Sequence, residues 1–387
     1  MAIPLKYNFR NLRVRRTTTL MTAFSITLTV AVFVVLMALA EGLRSSLAST
    51  GNPLNVLILR EGSQSETVSF VSRDTLQVIK YLHGIAKDAK GEPFVSPEVI
   101  VLINLPKIGQ TAGSNVTIRG VGEDGAAMRP DFKVVAGRYF KTGLREVVVS
   151  KRISERFQNC ALGDKLKFAK GYWTVVGIFT AGNSAYNSEI WADVNELAQD
   201  FDRQSYSDVI VRATDTAAVA RLDDQISNDR RLHLKPQTER AYYDSQTSTA
   251  RPIQAFGIFI AVLMAVGASF AAMNTMYAAV ARRTKEIGTL RVLGFSRWSI
   301  MVSFIIESVL IAGLGGVIGC VLALPINGVT TGTTNFATFS ELAFNFRVTP
   351  ELFATGVVFS ILMGLIGGLF PAWRAAHENI VTSLRSA

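Results

Sequence analysis

Cysteine is nearly absent: Cys160 and Cys320 are the two in 387 residues. One falls in a mixed polar segment and the other in a long apolar run, so no disulfide framework is available. The three histidines, His83, His233 and His377, are scattered and show no metal-ligand spacing. No G-x-x-x-x-G-K-[ST] phosphate loop occurs, which excludes ATP hydrolysis by that route. H-E-x-x-H and G-x-S-x-G are also missing, and Gly120-Val121-Gly122 is only a fragment of a nucleotide fingerprint. These absences leave no catalytic residue and no metal ligand to nominate, so the chain is expected not to be an enzyme. Charge is missing as well, over three long stretches: Thr17 to Ala40, Pro252 to Ala281 and Leu352 to Trp373. A fourth, Trp298 to Ser340, is interrupted only by Glu307.

Each of these stretches reaches the roughly 20 residues that a bilayer-crossing helix needs. With a mean hydropathy of +0.28, they predict an α-helical polytopic membrane protein with four transmembrane helices. Ala38-Leu39-Ala40 resembles a signal-peptidase site, but the apolar run before it is too long for a signal h-region, and an uncleaved span is expected. A large α/β domain of two lobes is expected between the first and second helices. The net charge of +10 does not point to nucleic acid. Residues 42–251 hold 27 basic and 24 acidic side chains, and the remaining 13 basic and 6 acidic ones flank the apolar runs. That distribution is topological, with a contribution from anionic lipid headgroups.

The positive-inside rule then orders the chain. Residues 1–16, with Lys6, Arg10, Arg13, Arg15 and Arg16 and no acid, form a cytoplasmic N-terminus. Spans at 17–41, 251–281, 298–325 and 351–373 follow from the apolar runs. Residues 42–250 form the extracytoplasmic domain, 282–297 a cytoplasmic loop, 326–350 an extracytoplasmic loop and 374–387 a cytoplasmic tail. Within the domain, Leu54 to Leu59, Val68 to Val71, Val99 to Leu105, Asn115 to Gly120, Glu146 to Ser150, Trp173 to Phe179 and Asp208 to Arg212 read as strands. Asp74 to Leu82, Ser150 to Phe157 and Thr216 to Ile226 read as helices. One lobe is assigned to 50–95 plus 205–245 and an inserted one to 100–200. No charged cluster stands out in its sequence.

Small residues recur four apart along the later spans: Gly257, Ala261 and Ala265, then Gly315 and Gly319, then Gly364 and Gly368. Membrane helices use such stripes to approach closely, because lipid supplies no hydrophobic drive for packing. Glu307 lies inside the third span, where an ionised carboxylate costs about 2.5–3.5 kcal/mol. It must face protein, water or the inner headgroup region, or stay protonated; a structural or hinge-pinning role is expected, with a proton relay as the alternative.

The loop at 282–297 is the most specific stretch. It carries Arg282, Arg283, Lys285, Arg291 and Arg297 against Glu286. Ile287, Leu290 and Leu293 fall three apart, on one side of a short helix. Gly294 is placed to end that helix and Ser296 to cap the next. Arg283, Glu286, Ile287, Gly288, Leu290, Arg291, Leu293 and Gly294 together make an R-x-x-E-I-G-x-L-R-x-L-G pattern. This pattern resembles the FtsX-like/MacB-like permease family of ABC transporters (the type VII group). Glu307, Gly315, Gly316 and Gly319 in the third span are similar to that family, as are Gly367, Gly368, Pro371, Ala372, Arg374, Ala375, Ala376, Leu384 and Arg385 at the end. REVVVSKRISERF, LGDKLKF and WTVVGIF, with Gly163, Asp164 and Gly177, resemble its periplasmic core domain.

The resemblance implies a permease subunit in the bacterial inner membrane, dimeric with itself or with a homologous chain. Its basic loop would be the coupling helix of a separate ABC ATPase subunit, which holds the ATP and Mg²⁺. This chain itself would bind no cofactor. The implied work is mechanotransmission: motion passes to the outer domain and drives export or extraction there, with a periplasmic adaptor or membrane fusion protein as a further partner. The alternative is a non-transporting signalling scaffold that activates a periplasmic partner such as a cell-wall hydrolase.

Overall fold

Strands of the α/β half are of two kinds, those buried along nearly their whole length, such as Glu189–Asp193, and those buried at every second residue. In Gly171–Ala181 every second side chain from Trp173 onward is buried, the period of a strand with one face on a core. The structure, a computed structural model, describes residues 16–378 apart from 89, 111, 336 and 337. The basic residues before Arg16, and Leu384 and Arg385 in the tail, lie outside the described residues. Ten α-helices are described: α1 (Arg16–Ala48), α2 (Arg73–Lys80), α3 (Lys151–Arg156), α4 (Val194–Asp200), α5 (Thr216–Asn228), α6 (Glu239–Gln246), α7 (Ala250–Arg282), α8 (Thr284–Val292), α9 (Arg297–Ala323) and α10 (Pro350–His377). Four helical segments among them are long and apolar enough to cross a membrane: Thr19–Ala48, Glu239–Arg282, Arg297–Ile326 and Pro350–His377. The chain divides into two units, one helical and one α/β.

The α/β unit comprises Gly42–Arg251 and Thr330–Asn345. Its main sheet has ten strands: β1 (Asn55–Arg60), β2 (Val95–Pro106), β3 (Gly113–Val121), β4 (Phe132–Gly137), β5 (Glu146–Ser150), β6 (Lys165–Phe168), β7 (Gly171–Ala181), β8 (Glu189–Asp193), β9 (Asp208–Arg212) and β10 (Leu234–Thr238). Their order is β10-β1-β9-β2-β3-β8-β5-β7-β4, with β6 beside β7. The strands β1, β9 and β10 lie together, and β2 joins them to the strands of residues 113–193 by pairing antiparallel with β9. The two expected lobes therefore share one sheet. Val68 to Val71 is not a strand: Glu66–Val68 forms a 3₁₀ turn, and Val71 makes a single bridge to Tyr206.

Local capping follows the sequence. Ser72, Ser150, Asp193, Asp215 and Thr238 each accept a backbone N–H in the first turn of the helix that follows them, which satisfies otherwise orphaned donors. The loop expected at 326–350 contains a hairpin, β11 (Thr330–Thr334) and β12 (Glu341–Asn345). The hairpin belongs to the α/β unit. Glu341 pairs with Arg156 and, at 2.7 Å, with Lys107. Ala343 exchanges two hydrogen bonds with the Ser188 hydroxyl, donating at 2.7 Å and accepting at 3.2 Å. Burial works against the Glu341 carboxylate, but Lys107, Ser114 and Arg156 outweigh it and hold its pKa below the usual value.

Candidate coupling site

The helical unit is built from close approaches at small residues. A Cβ at Gly319 would lie 2.6 Å from the Thr27 carbonyl oxygen of α1, and one at Gly364 would lie 2.4 Å from Ala312 Cβ of α9. Neither place admits a side chain, so both backbones touch there. Gly315 meets α1 through Ala23, and Gly368 meets α9 through Ser308. Gly257 faces Met37 and Leu36 of α1. Ala261 is buried in the same core, with Ala265 partly buried against it. The stripes read from the sequence thus lie where the helices meet. Side-chain hydroxyls tie the helices further: Thr27 donates to the Gly315 carbonyl at 3.0 Å and Ser308 to the Gly364 carbonyl at 2.6 Å.

The basic loop is the helix α8, which is short and ends by a specific device. Gly294 has φ +91°, a conformation that costs glycine little. Its N–H donates to Arg291 O, and the Phe295 N–H donates back to Leu290 O at 3.1 Å. Those two bonds are a Schellman motif. Ser296 then caps α9, accepting from the Ser299 N–H at 3.2 Å.

Two residues of α8 and its N-cap are fixed inside the unit. Ile287 is buried in a core with Met276 and Val280 of α7, Ile300 and Phe304 of α9, and Ala372 and Ala375 of α10. Arg283, the N-cap residue, is buried and donates to Glu307 of α9 through Nη1 at 2.9 Å and Nη2 at 3.5 Å. Its guanidinium also lies 5.8 Å from the Phe304 ring centre. Gly288 is buried beside Ile287, and Leu290 is partly so. Leu293 departs from the expected apolar face: as the C-cap residue it turns away and is 65% exposed. Val292 and Trp298 are exposed with it. Lys285, Glu286 and Arg297 are exposed as well, and Arg291 is partly buried with its Nε unpaired among the described residues.

The arrangement has a fixed side and an open side. The fixed side joins α8 to α7, α9 and α10 by one ion pair and one apolar core. The open side presents Val292, Leu293 and Trp298 among basic groups. Sequence reasoning placed Arg283 and Glu307 separately and missed their pairing. The available signal was chemical: a carboxylate in a span needs a cation, and the nearest loop supplies several.

Comparisons with known proteins agree with this architecture. The MacB-like periplasmic core domain family matches residues 19–229, and the FtsX-like permease C-terminal family matches residues 258–380. The chain is 26% identical to a macrolide export ATP-binding/permease protein MacB of Chlorobium luteolum, over 97% of this chain and 59% of the relative. MacB of Escherichia coli is 27% identical over 97% of this chain and 59% of the relative. The chain thus spans a little over half the length of these curated relatives. An uncharacterised ABC transporter permease of Methanocaldococcus jannaschii is 21% identical, over 98% of this chain and 97% of the relative. The chain belongs to the MacB-like, FtsX-like family of ABC transporter permeases and is a multi-pass membrane subunit of that class.

Proposed function

We propose that the chain couples nucleotide hydrolysis on a separate ABC ATPase subunit to movement of its α/β unit. The helix α8 is the coupling helix, lying with both chain termini on the cytoplasmic side of the inner membrane. Two copies, or this chain and a homologue, form the membrane assembly. Work received at α8 passes through Arg283–Glu307 and Ile287 into α7, α9 and α10. Because α7 is preceded and α9 and α10 are bridged by segments of the α/β unit, the same helices carry the motion outward. It drives export or extraction of a substrate at the outer face.

The observation that carries this reading is the two-sided character of α8. A loop serving only to set topology needs its charges, but not a buried ion pair and an apolar anchor into three helices. Arg283, Glu286, Ile287, Gly288, Leu290, Arg291, Leu293 and Gly294 are the coupling residues on this account. The test is ATP turnover by the reconstituted assembly. Reversing Glu286 and Arg291 together should abolish stimulation of hydrolysis by the permease while membrane insertion stays normal. Full stimulation in that variant would refute the assignment.

A further inference from the structure

The α/β unit encloses more carboxyl groups than arginines to balance them. Glu66, Glu98, Glu189, Asp208 and Glu239 are all buried, and the guanidiniums enclosed with them are Arg119 and Arg129. Arg119 reaches Glu66 at 2.7 Å, Glu98 at 2.6 Å and Glu189 at 2.8 Å. Arg129 reaches Glu98 at 2.7 Å and Glu239 at 3.2 Å. Arg212 stands partly buried at the edge, donating to the Met128 carbonyl. Even with Arg212 counted, the carboxylates outnumber the guanidiniums by two. The surrounding Tyr186, Tyr242 and Tyr243 are held neutral by burial. With all five ionised, the uncompensated buried charge would not be stable by itself.

The excess is concentrated at Asp208. It lies directly opposite Glu98 in the β2–β9 register, where like charges repel. Its side chain is fully buried, yet among the described residues neither Oδ1 nor Oδ2 has a hydrogen-bond partner. Glu66, Glu98 and Asp208 each present a carboxylate oxygen to the same point, all within 4.8 Å of one another. Glu66 Oε2 has spare capacity, because its contacts to Arg119 Nη2 and Tyr242 Oη are both long at 3.3 Å.

We propose that Glu66, Glu98 and Asp208 bind a calcium-class divalent cation. Calcium takes oxygen ligands at about 2.3–2.6 Å, so ligand atoms across the ion stand roughly 5 Å apart or less. Magnesium demands shorter bonds and a stricter octahedron. One divalent ion removes the two-charge excess and gives the Asp208 oxygens the partner they lack. Glu66 and Arg119 also line a cleft of about 30 Å³ beside the β11–β12 hairpin, which leaves room for a water on the Glu66 side. The competing occupant is a proton, since burial first, and then Glu98 and Glu66, drive Asp208 towards its neutral form.

The test uses the full chain in nanodiscs, stripped with chelator and titrated with Tb³⁺ under excitation of its aromatic residues. Trp191 donates to Glu189 within the same network and would sensitise the ion. The expected result is saturable emission, displaced by Ca²⁺ at far lower concentration than by Mg²⁺. Asp208→Asn should abolish it, and Glu66→Gln serves if that variant does not fold. Asp124→Asn, in a separate acidic groove, should leave it intact. Ca²⁺ at a hundredfold excess over its Kd should also raise the Tm by about 5–10 °C. No saturable emission from the native protein would overturn the proposal, as would emission unaffected by Asp208→Asn and Glu66→Gln. An Asp208→Asn protein more stable than an ion-insensitive native one would assign the site to a proton instead.

Discussion

The helical and α/β units both bury charge, and they handle it differently. In the helical unit the buried guanidinium of Arg283 answers the buried carboxylate of Glu307 among the described residues, and apolar clusters, small residues and hydroxyls do the remaining packing. In the α/β unit one guanidinium, Arg119, serves three carboxylates at once, while Asp208 has no hydrogen-bond partner among the described residues. The difference follows from what surrounds each site. A membrane helix can bring an arginine in only from its end, and each charge must be neutralised on the spot. A sheet lets residues far apart in the chain stack side by side on one face, so a network can collect from four strands and from the segments between strands. The first arrangement pins one helix end to its neighbour; the second suits a rigid centre.

Breaking the network should cost most. Arg119→Met leaves Glu66, Glu98 and Glu189 without their shared partner, and removing one member of a buried pair already costs about 3–5 kcal/mol. The α/β unit is expected to lose cooperative unfolding or to be degraded, measured by chemical denaturation and by protein level in membranes. A loss under about 1 kcal/mol, the range of exposed pairs, would show that the network is not the rigid centre.

The ion pair of the helical unit should behave as a pair. Arg283→Leu or Glu307→Leu alone is expected to destabilise by about 3–5 kcal/mol, because each strands a buried charge. The double substitution should recover most of the stability, since an apolar pair satisfies the same site. ATP-dependent coupling should stay lost in the double variant if the pair transmits work. Recovery of stability and coupling together would reduce Arg283–Glu307 to a packing feature.

Packing at the small residues predicts a graded result. Gly364→Ala places a methyl where Ala312 Cβ leaves only 2.4 Å, and overpacking of this kind costs about 1–3 kcal/mol. Gly257→Ala meets only the Met37 Cε end, at 2.8 Å, and Leu36 at 3.4 Å. The flexible thioether can move aside, so a change under about 1 kcal/mol is expected. Thermal unfolding of both variants in one lipid checks the order.

The smallest effect concerns the hairpin. Glu341 has its pKa held below 4.5. Its stabilisation is therefore complete above that pH and disappears as the pH falls through the lower folded-state value. Hydrogen exchange of the β12 amides should rise only in that acid window, and Glu341→Gln should remove the dependence. Exchange that rises already near pH 6 would assign the effect to another group.

What the residues revealed and what they hid divide along chain distance. The four spans, the end of α8 at Gly294, the cap at Ser296 and strands such as Asp208–Arg212 all rest on neighbours in sequence, and each was legible. The hairpin β11–β12 was not, because TTGTT and ELAFN carry little alternation and their partners, Arg156 and Ser188, lie far upstream. Leu293 misled because three-residue spacing ignores where the helix stops. The charged network was invisible for the same reason as the hairpin. Glu66, Glu98, Arg119, Arg129, Glu189, Asp208 and Glu239 form no run, and only the strand order β1-β9-β2-β3-β8 brings most of them to one face.

The central claim is that α8 receives work from a nucleotide-hydrolysing partner. Its most direct test is a photo-crosslinker at the exposed Leu293, activated in cells with and without trapped nucleotide. The account predicts a covalent adduct with an ABC ATPase whose yield changes with nucleotide state, and a Leu293→Cys variant that an impermeant maleimide leaves unlabelled on intact cells. Labelling of Leu293→Cys by that maleimide on intact cells, with no ATPase adduct, would contradict it.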